Sequence, residues 1–316
     1  MNRLCVTAWL SLALVGATPA IAEPMKVCVP QRGIWETAPP DLGKQAGIFS
    51  KHGLELDITY TQGAGETLQA VISGSCDVGL SVGTLGVLGA YAKGAPIRII
   101  AANSTGFAET YFYVPANSPI KSLKDAEGKT IAYSTSGSST QIAAMALLDL
   151  YGVKGKPVAA GAVGATYTQV RSGQIDIGWA TPPFQLDELR RGEIRMIARA
   201  SDVPDLRKET VRVQIANAAT VSNRAEMIAR YMQAYRETLD WMYASPDAIK
   251  LYIAFAGFSE ESVRQMMAEF IPRADLQTDE IRGMAESMND AIRFKFLTAP
   301  LAEAQLSGLM AIPKAR

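Results

Sequence analysis

The spacing of apolar and polar positions changes period repeatedly along this chain. Short apolar or alternating runs predict strands at Met25–Val29, Leu54–Tyr60, Asp77–Val82 and Ile97–Ala102. Between them, Pro39–His52, Thr67–Ile72 and Leu85–Lys93 predict helices, the first with Pro near its start and Gly53 at its end. A second set repeats the alternation. Its helices are predicted at Ser122–Glu127, Gln141–Tyr151, Tyr167–Ser172 and Pro182–Arg191. Its strands are predicted at Thr130–Tyr133, Lys156–Ala160, Ile175–Ala180 and Ile194–Ala198. Two extended runs, Ala108–Pro115 and Val211–Val221, are placed to connect the two sets. Strand signals then stop. Arg224–Tyr243, Pro246–Ala256, Glu260–Phe270, Asp279–Phe296 and Ala302–Leu309 all predict helices, a tail packed on the first set. Strands alternating with helices argue for an α/β fold with parallel sheets and right-handed crossovers.

One motif occurs twice. Ser73-Gly74-Ser75-Cys76-Asp77-Val78-Gly79 returns as Ser172-Gly173-Gln174-Ile175-Asp176-Ile177-Gly178. In both copies a helix ends at Gly, Asp opens a strand and Gly lies inside it, a sign of close approach by another backbone or a ligand. One copy in each set predicts two similar lobes, each with helix N-termini at the carboxyl ends of its strands, where open α/β sheets bind ligands. The stretch Ser134–Gln141 lies at such a point, between a predicted strand and a predicted helix. It puts free N–H groups and hydroxyls at a positive helix end, a seat for an anionic or strongly polar group. Ser138 with Gln141 is also a capping box that serves the helix alone. One hydroxyl can cap while its neighbours bind.

Composition narrows the function. At 316 residues the chain is long enough for two domains. Residues 1–22 carry Arg3, an apolar run from Leu4 to Ala17 and the small-x-small site Ala20-Ile21-Ala22, the pattern of an export signal cleaved after Ala22. Without them, 30 basic residues face 31 acidic ones, which gives no reason to invoke nucleic acid or a membrane surface. Cys28 and Cys76 remain, both at apolar strand positions, as one disulfide or as two buried thiols. His52, the only histidine, sits at a predicted helix end, where a cation is favourable. One histidine and two separate cysteines make neither a zinc site nor a triad at a cleft. No cofactor or metal is expected.

Several segments carry a family resemblance: Gly47-Ile48-Phe49-Ser50-Lys51-His52-Gly53-Leu54-Glu55-Leu56, Ser73–Gly79, Gly94-Ala95-Pro96-Ile97, Ser118–Asp125, Gly128–Ala132 and Gly173–Asp176. In their order and spacing the chain resembles the periplasmic solute-binding proteins of ABC importers, in the taurine/alkanesulfonate/nitrate and thiamine-precursor-like group. The match runs to about Tyr235. The resemblance implies a type II two-lobed fold, with lobe 1 at 23–111 and 218–316 and lobe 2 at 112–217. It implies hinge closure on a cleft ligand at about Tyr111–Val114 and Val213–Val221. It also implies a monomer in the periplasm that docks on a permease and, through it, its ATPase.

Loops facing that cleft supply the candidate ligand-binding residues. In lobe 1 they are Gln31, Arg32 and Trp35, then Gly65, then Ser81 and Thr84 in a small hydroxyl turn like the family's, and Ser104. Lobe 2 supplies Ser136, Ser138, Ser139 and Trp179, with Trp179 one step beyond the repeated Asp-x-Gly strand. Asn217 stands near the return hinge, where an amide rather than an acid argues against a ligand ammonium. Thr181, followed by Pro182, is expected only to cap a helix. Hydroxyl-rich helix ends and Arg32 favour a small organic anion, a sulfonate or an aromatic carboxylate. A neutral heteroaromatic vitamin precursor, sandwiched by Trp35 and Trp179, is the other cargo considered. Two other classes are an enzyme like the thiamine-pyrimidine synthases and a subunit that senses ligand for a receptor kinase.

Overall fold

The computed structural model describes residues 22–314, so nearly all of the expected export signal, with Cys5, lies outside the described residues. The first unit opens with strand β1 (Glu23–Pro30), helices α1 (Pro39–Gln45) and α2 (Ile48–Lys51), and strand β2 (Leu54–Thr61). It continues through α3 (Ala64–Ile72), β3 (Val78–Gly83), α4 (Thr84–Ala92) and β4 (Ile97–Thr105). The single helix expected over Pro39–His52 is broken at Gly47, whose φ of 73° lies in the left-handed region where glycine is at ease. The second unit holds β5 (Tyr111–Pro115), β6 (Thr130–Tyr133), α5 (Ser139–Leu150), β7 (Lys156–Ala159) and α6 (Val163–Arg171). It ends with β8 (Gly178–Ala180), α7 (Leu186–Arg190) and β9 (Ile194–Arg199). Strand β10 (Thr210–Asn217) returns, and the helices α8 (Ala218–Asn223), α9 (Ala225–Ala244) and α10 (Pro246–Ala256) follow. Then come α11 (Glu260–Glu269), α12 (Met284–Arg293) and α13 (Glu303–Leu309).

The two lobes share one topology. Lobe 1 is a five-stranded sheet ordered β2-β1-β3-β10-β4, with β1, β2 and β3 parallel and β10 antiparallel to its neighbours. In lobe 2, β6 pairs in parallel with β7 and meets the lead-in to β8 through a parallel bridge between Ile131 and Ile177. Strand β5 lies antiparallel between β8 and β9, which gives the order β7-β6-β8-β5-β9. This doubling explains the repeated motif. Asp77 accepts from the backbone N–H of Lys26 at 2.9 Å and donates its own N–H to the Lys26 carbonyl. Asp176 accepts from the N–H and the hydroxyl of Thr130 at 2.9 and 2.8 Å. Each aspartate thus locks the strand it precedes onto a neighbour, β3 onto β1 and β8 onto β6. The strand glycines that follow make room for protein rather than ligand. A Cβ at Gly79 would lie 2.8 Å from Thr67 and Val71 of α3, and one at Gly178 would lie 2.5 Å from the Tyr113 ring.

Strand β10 belongs wholly to the first sheet, so the limits expected for lobe 2, 112–217, move. The chain crosses between lobes at residues 106–110 and 200–209, ahead of both runs expected to form the hinge. Lobe 2 also reaches the helical tail. Phe184 packs edge-on to Phe258 at 4.8 Å, and Ser262 Oγ donates to Asp187 at 2.7 Å. The Arg199 guanidinium lies 4.5 Å over the Phe270 ring. The tail is less helical than expected across Asp279–Phe296, where helix is confined to Met284–Arg293. Cys28 and Cys76 are bonded to each other and buried, tying β1 to the turn before β3.

Candidate functional site

The carboxyl ends of β1, β3 and β6 point toward one seam between the lobes, and glycines let the two sides meet there. A Cβ at Gly65 would lie 2.2 Å from the Ser136 carbonyl, and one at Gly86 would lie 2.3 Å from the Gly137 carbonyl. The Gly65 N–H donates to Thr135 Oγ1 at 2.9 Å, and the Val163 N–H, at the start of α6, donates to Gln31 Oε1 at 2.9 Å. The lobes are therefore closed on each other. Gly86→Ala suits helix α4 by about 1 kcal/mol but drives a methyl into lobe 2. The variant is expected to fold, to show a larger radius of gyration in solution scattering and to hold solute more weakly. An unchanged radius would show that the seam does not set closure.

At this seam lies a cavity of about 30 Å³, lined among others by Gln31, Glu36, Ser81, Ser139, Trp179, Thr181 and Arg212. Its lobe 2 wall is the start of α5. Ser138 Oγ caps the helix by accepting from the Gln141 N–H at 3.2 Å, and Gln141 Oε1 accepts in return from the Gly137 N–H at 2.8 Å. The N–H groups of Ser139 and Thr140 come ahead of the first intrahelical bonds and stay available. Beside them, Trp179 Nε1 and Thr181 Oγ1 are buried with no hydrogen-bond partner. Capping and donor supply therefore coexist in one stretch.

The lobe 1 wall is a buried charge cluster. Arg212, on β10, donates from Nε to Ser139 Oγ at 2.7 Å and through one guanidinium nitrogen to Glu36 at 2.9 Å and to Glu109. Its other terminal nitrogen donates to Thr110 Oγ1 at 3.1 Å, and the guanidinium lies 4.6 Å over the Phe107 ring. Ser81 Oγ donates to the second Glu36 oxygen at 2.9 Å, from a backbone held at a φ of 51°, a conformation non-glycine residues adopt mainly at constrained sites. Burial pushes the Glu36 carboxyl up to about 7, with Arg212 opposing the shift and Glu109 adding to it. Burial disfavours the charge on Arg212, but the two carboxylates outweigh it and hold the guanidinium protonated. This single arginine touches lobe 1, the first crossing segment and the first turn of α5.

The expected site residues divide into three groups. Gln31, Ser81, Ser138, Ser139 and Trp179 line the cavity. Gly65, Thr84, Ser104 and Ser136 lie around it: Gly65 and Ser136 form the seam, Thr84 donates to the Thr210 carbonyl, and Ser104 sits 3.5 Å behind Arg212. Arg32, Trp35 and Asn217 are elsewhere. Arg32 turns out over the Phe255 ring at 4.5 Å and donates to the Phe255 carbonyl. Trp35 is fully buried in the lobe 1 core, edge-on to Tyr243 and Tyr252, with its N–H on the Tyr243 hydroxyl at 2.9 Å. Asn217 caps α8 and donates to the Val71 carbonyl. It stands five residues beyond Arg212 on β10, about 16 Å along a strand. Glu36, Glu109, Thr181 and Arg212 went unrecognised as site residues. The signal was an isolated charge in an apolar strand, Val211-Arg212-Val213, which in a buried strand demands an ion partner. Thr181 caps no helix: α7 starts only at Leu186, and its N-terminal flank is Gln185, with a φ of 58°.

The family model described as NMT1/THI5-like matches residues 37–249, about two thirds of the chain and most of both lobes. The chain belongs to the NMT1/THI5-like family. A Brucella abortus protein that is named only as a binding protein is 26% identical over 270 residues, covering 82% of this chain and 76% of its own. Two solved structures share the fold of this NMT1/THI5-like chain. The alkanesulfonate-binding protein SsuA of Xanthomonas axonopodis pv. citri, bound to MOPS, superposes with a TM-score of 0.73 at 18% identity, over 95% of this chain and 96% of its own. The periplasmic aliphatic sulphonate-binding protein SsuA of Escherichia coli gives 0.71 at 17% identity, over 92% and 93%. The fold is that of the two-lobed periplasmic binding proteins. Among the described residues of the NMT1/THI5-like chain, no helix is long and apolar enough to cross a membrane.

Proposed function

We propose that this NMT1/THI5-like chain is the exported, solute-capturing component of an ABC importer. Its two lobes close on a small organic anion, a sulfonate or an aromatic carboxylate, and the closed form docks on a permease. The observation that carries the proposal is the pair of unpartnered buried donors, Trp179 Nε1 and Thr181 Oγ1, beside the free N–H groups at the start of α5. A buried donor without a partner costs about 1–3 kcal/mol, and an oxygen-rich head group relieves that cost at several donors at once. The closed cavity, about 30 Å³, holds on the order of two waters, so any organic body requires the lobes to part and re-close.

The heteroaromatic alternative loses its main support, because Trp35 lies in the core and only Trp179 remains at the cavity. An enzyme that relies on a cleft histidine finds none at the cavity among the described residues. His52 pairs with Glu237 at 2.8 Å at the end of α2 and does not line the cavity.

The test is a thermal-shift screen of the mature protein against sulfonates, aromatic carboxylates and neutral heteroaromatics. A solute at a hundred times its Kd adds about 2.7 kcal/mol of apparent stability. Anions are expected to give the shifts; stabilisation by neutral heteroaromatics alone would contradict the cargo assignment. Trp179→Phe keeps a ring and removes the donor. It is expected to weaken binding of an anionic hit roughly tenfold or more, with the circular dichroism spectrum unchanged. Equal affinity would remove Trp179 from the binding role.

A further inference from the structure

We infer that Glu36 determines which head-group charge the cavity accepts: an anion is admitted only together with a proton that settles on the Glu36 carboxylate. The inference rests on the cavity being the solute site. Among the described residues Arg212 is the one cation in the cavity wall, and it is already engaged. Of its five N–H groups, one goes to Ser139, two to Glu36 and Glu109 and one to Thr110, which leaves one. All three charged side chains are at least nine-tenths buried. Two carboxylates against one guanidinium leave one negative charge shielded from water, and a solute anion would add a second. At such separations in a poorly solvated site, like charges repel strongly. A single proton restores the balance.

Geometry selects the acceptor of that proton. Glu36 lines the cavity, whereas Glu109 sits behind Arg212. The Ser81 hydroxyl, 2.9 Å from Glu36 Oε1, can rotate from donor to acceptor and receive the new O–H. Tyr235 and Tyr243 of α9 lie within reach of the Glu36 charge and of Arg273, and Asp275 faces Glu109 from the turn after α11. Arg273, the one further cation in this set, is engaged by Asp240 and the Leu276 carbonyl. Burial already places the Glu36 carboxyl at about 7, so the proton is available near neutrality. Affinity for an anion is then flat below that value and falls about tenfold per pH unit above it. Affinity for a neutral solute does not change across the same range.

Two measurements decide the matter. In carbon-13 NMR of the mature protein with labelled side-chain carboxyls, the Glu36 signal, assigned through its loss in Glu36→Gln, is expected to titrate within about a unit of 7. A midpoint near 4 overturns the inference without any solute or any refolding of a variant. In calorimetry with ethanesulfonate at pH 8, in two buffers of different ionisation heat, the wild type is expected to take up close to one proton and Glu36→Gln none. The variant should bind about tenfold tighter than the wild type at that pH. Binding by the wild type without proton uptake overturns the inference. Failure of ethanesulfonate to bind either protein at any pH overturns the anion assignment of the cavity and the inference with it. The titration separates that result from an ordinary Glu36.

Discussion

Arg212→Met is expected to destabilise the protein by about 3–5 kcal/mol and to abolish solute binding. The methionine fills much of the arginine's volume, so a cavity is not the main cost. The cost is the two carboxylates of Glu36 and Glu109, each about 95% buried, left without their shared cation. The loss should depend on pH. In the wild type, Glu36 stands at about 7 when folded, above the ordinary carboxylate value of about 4.3 when unfolded. The folded state therefore binds more protons between these values, and this residue's contribution to stability falls as pH rises through that window and is flat above it. Arg212 opposes the rise at Glu36, so without it the Glu36 carboxyl holds its proton more tightly and the variant should lose less at pH 5 than at pH 8. Urea unfolding across that range measures the difference. Adding Glu36→Gln and Glu109→Gln to Arg212→Met should recover most of the loss, because a fully neutral cluster leaves no charge buried. A loss below about 1 kcal/mol in the single variant would mean that water reaches the cluster.

Cys28→Ala combined with Cys76→Ala is expected to cost about 4 kcal/mol. The bond closes a loop with a sequence separation of 48, and cross-linking a loop of that size removes roughly that much chain entropy from the unfolded state. Both sulfurs are buried in the core under α3, so the alanines add a packing loss. Unfolding the wild type with and without reductant should show the bond's share alone, separating it from the packing loss of the alanines. Coincident unfolding curves would place the stability of lobe 1 elsewhere. A disulfide fits the oxidising compartment that the proposed export would give this chain.

The sheets were readable from the sequence because most strands follow a helix or turn with a clear apolar run, and because the Asp-x-Gly motif marks corresponding strands, β3 and β8, in the two lobes. The start of α5 was readable for the same reason: its hydroxyls sit between an apolar strand and an apolar helix. The charge cluster was not, since its three members lie 73 and 103 residues apart and meet only through topology. Strand direction also misled. A cleft at the carboxyl ends of parallel strands puts Asn217 at the site, but β10 runs antiparallel, so its first residues reach the seam. Trp35 stands in the polar and aromatic loop Gln31–Glu36 and was expected to face the cleft. Tyr243 and Tyr252 from the helical tail, more than 200 residues away, enclose it.

The most direct test of the central claim follows the indole N–H signals of the mature protein in nitrogen-15 NMR while a stabilising solute from the thermal-shift screen is added. Only Trp35, Trp179 and Trp241 remain after residues 1–22 are removed, and Trp179→Phe assigns the signal of interest. If the solute sits in the interlobe cavity, the Trp179 N–H signal should move downfield and exchange more slowly with water. The Trp35 signal, already bonded to Tyr243, should stay in place. A solute that stabilises the protein and leaves Trp179 unmoved would contradict the account, because the binding site would then lie outside the seam between the lobes.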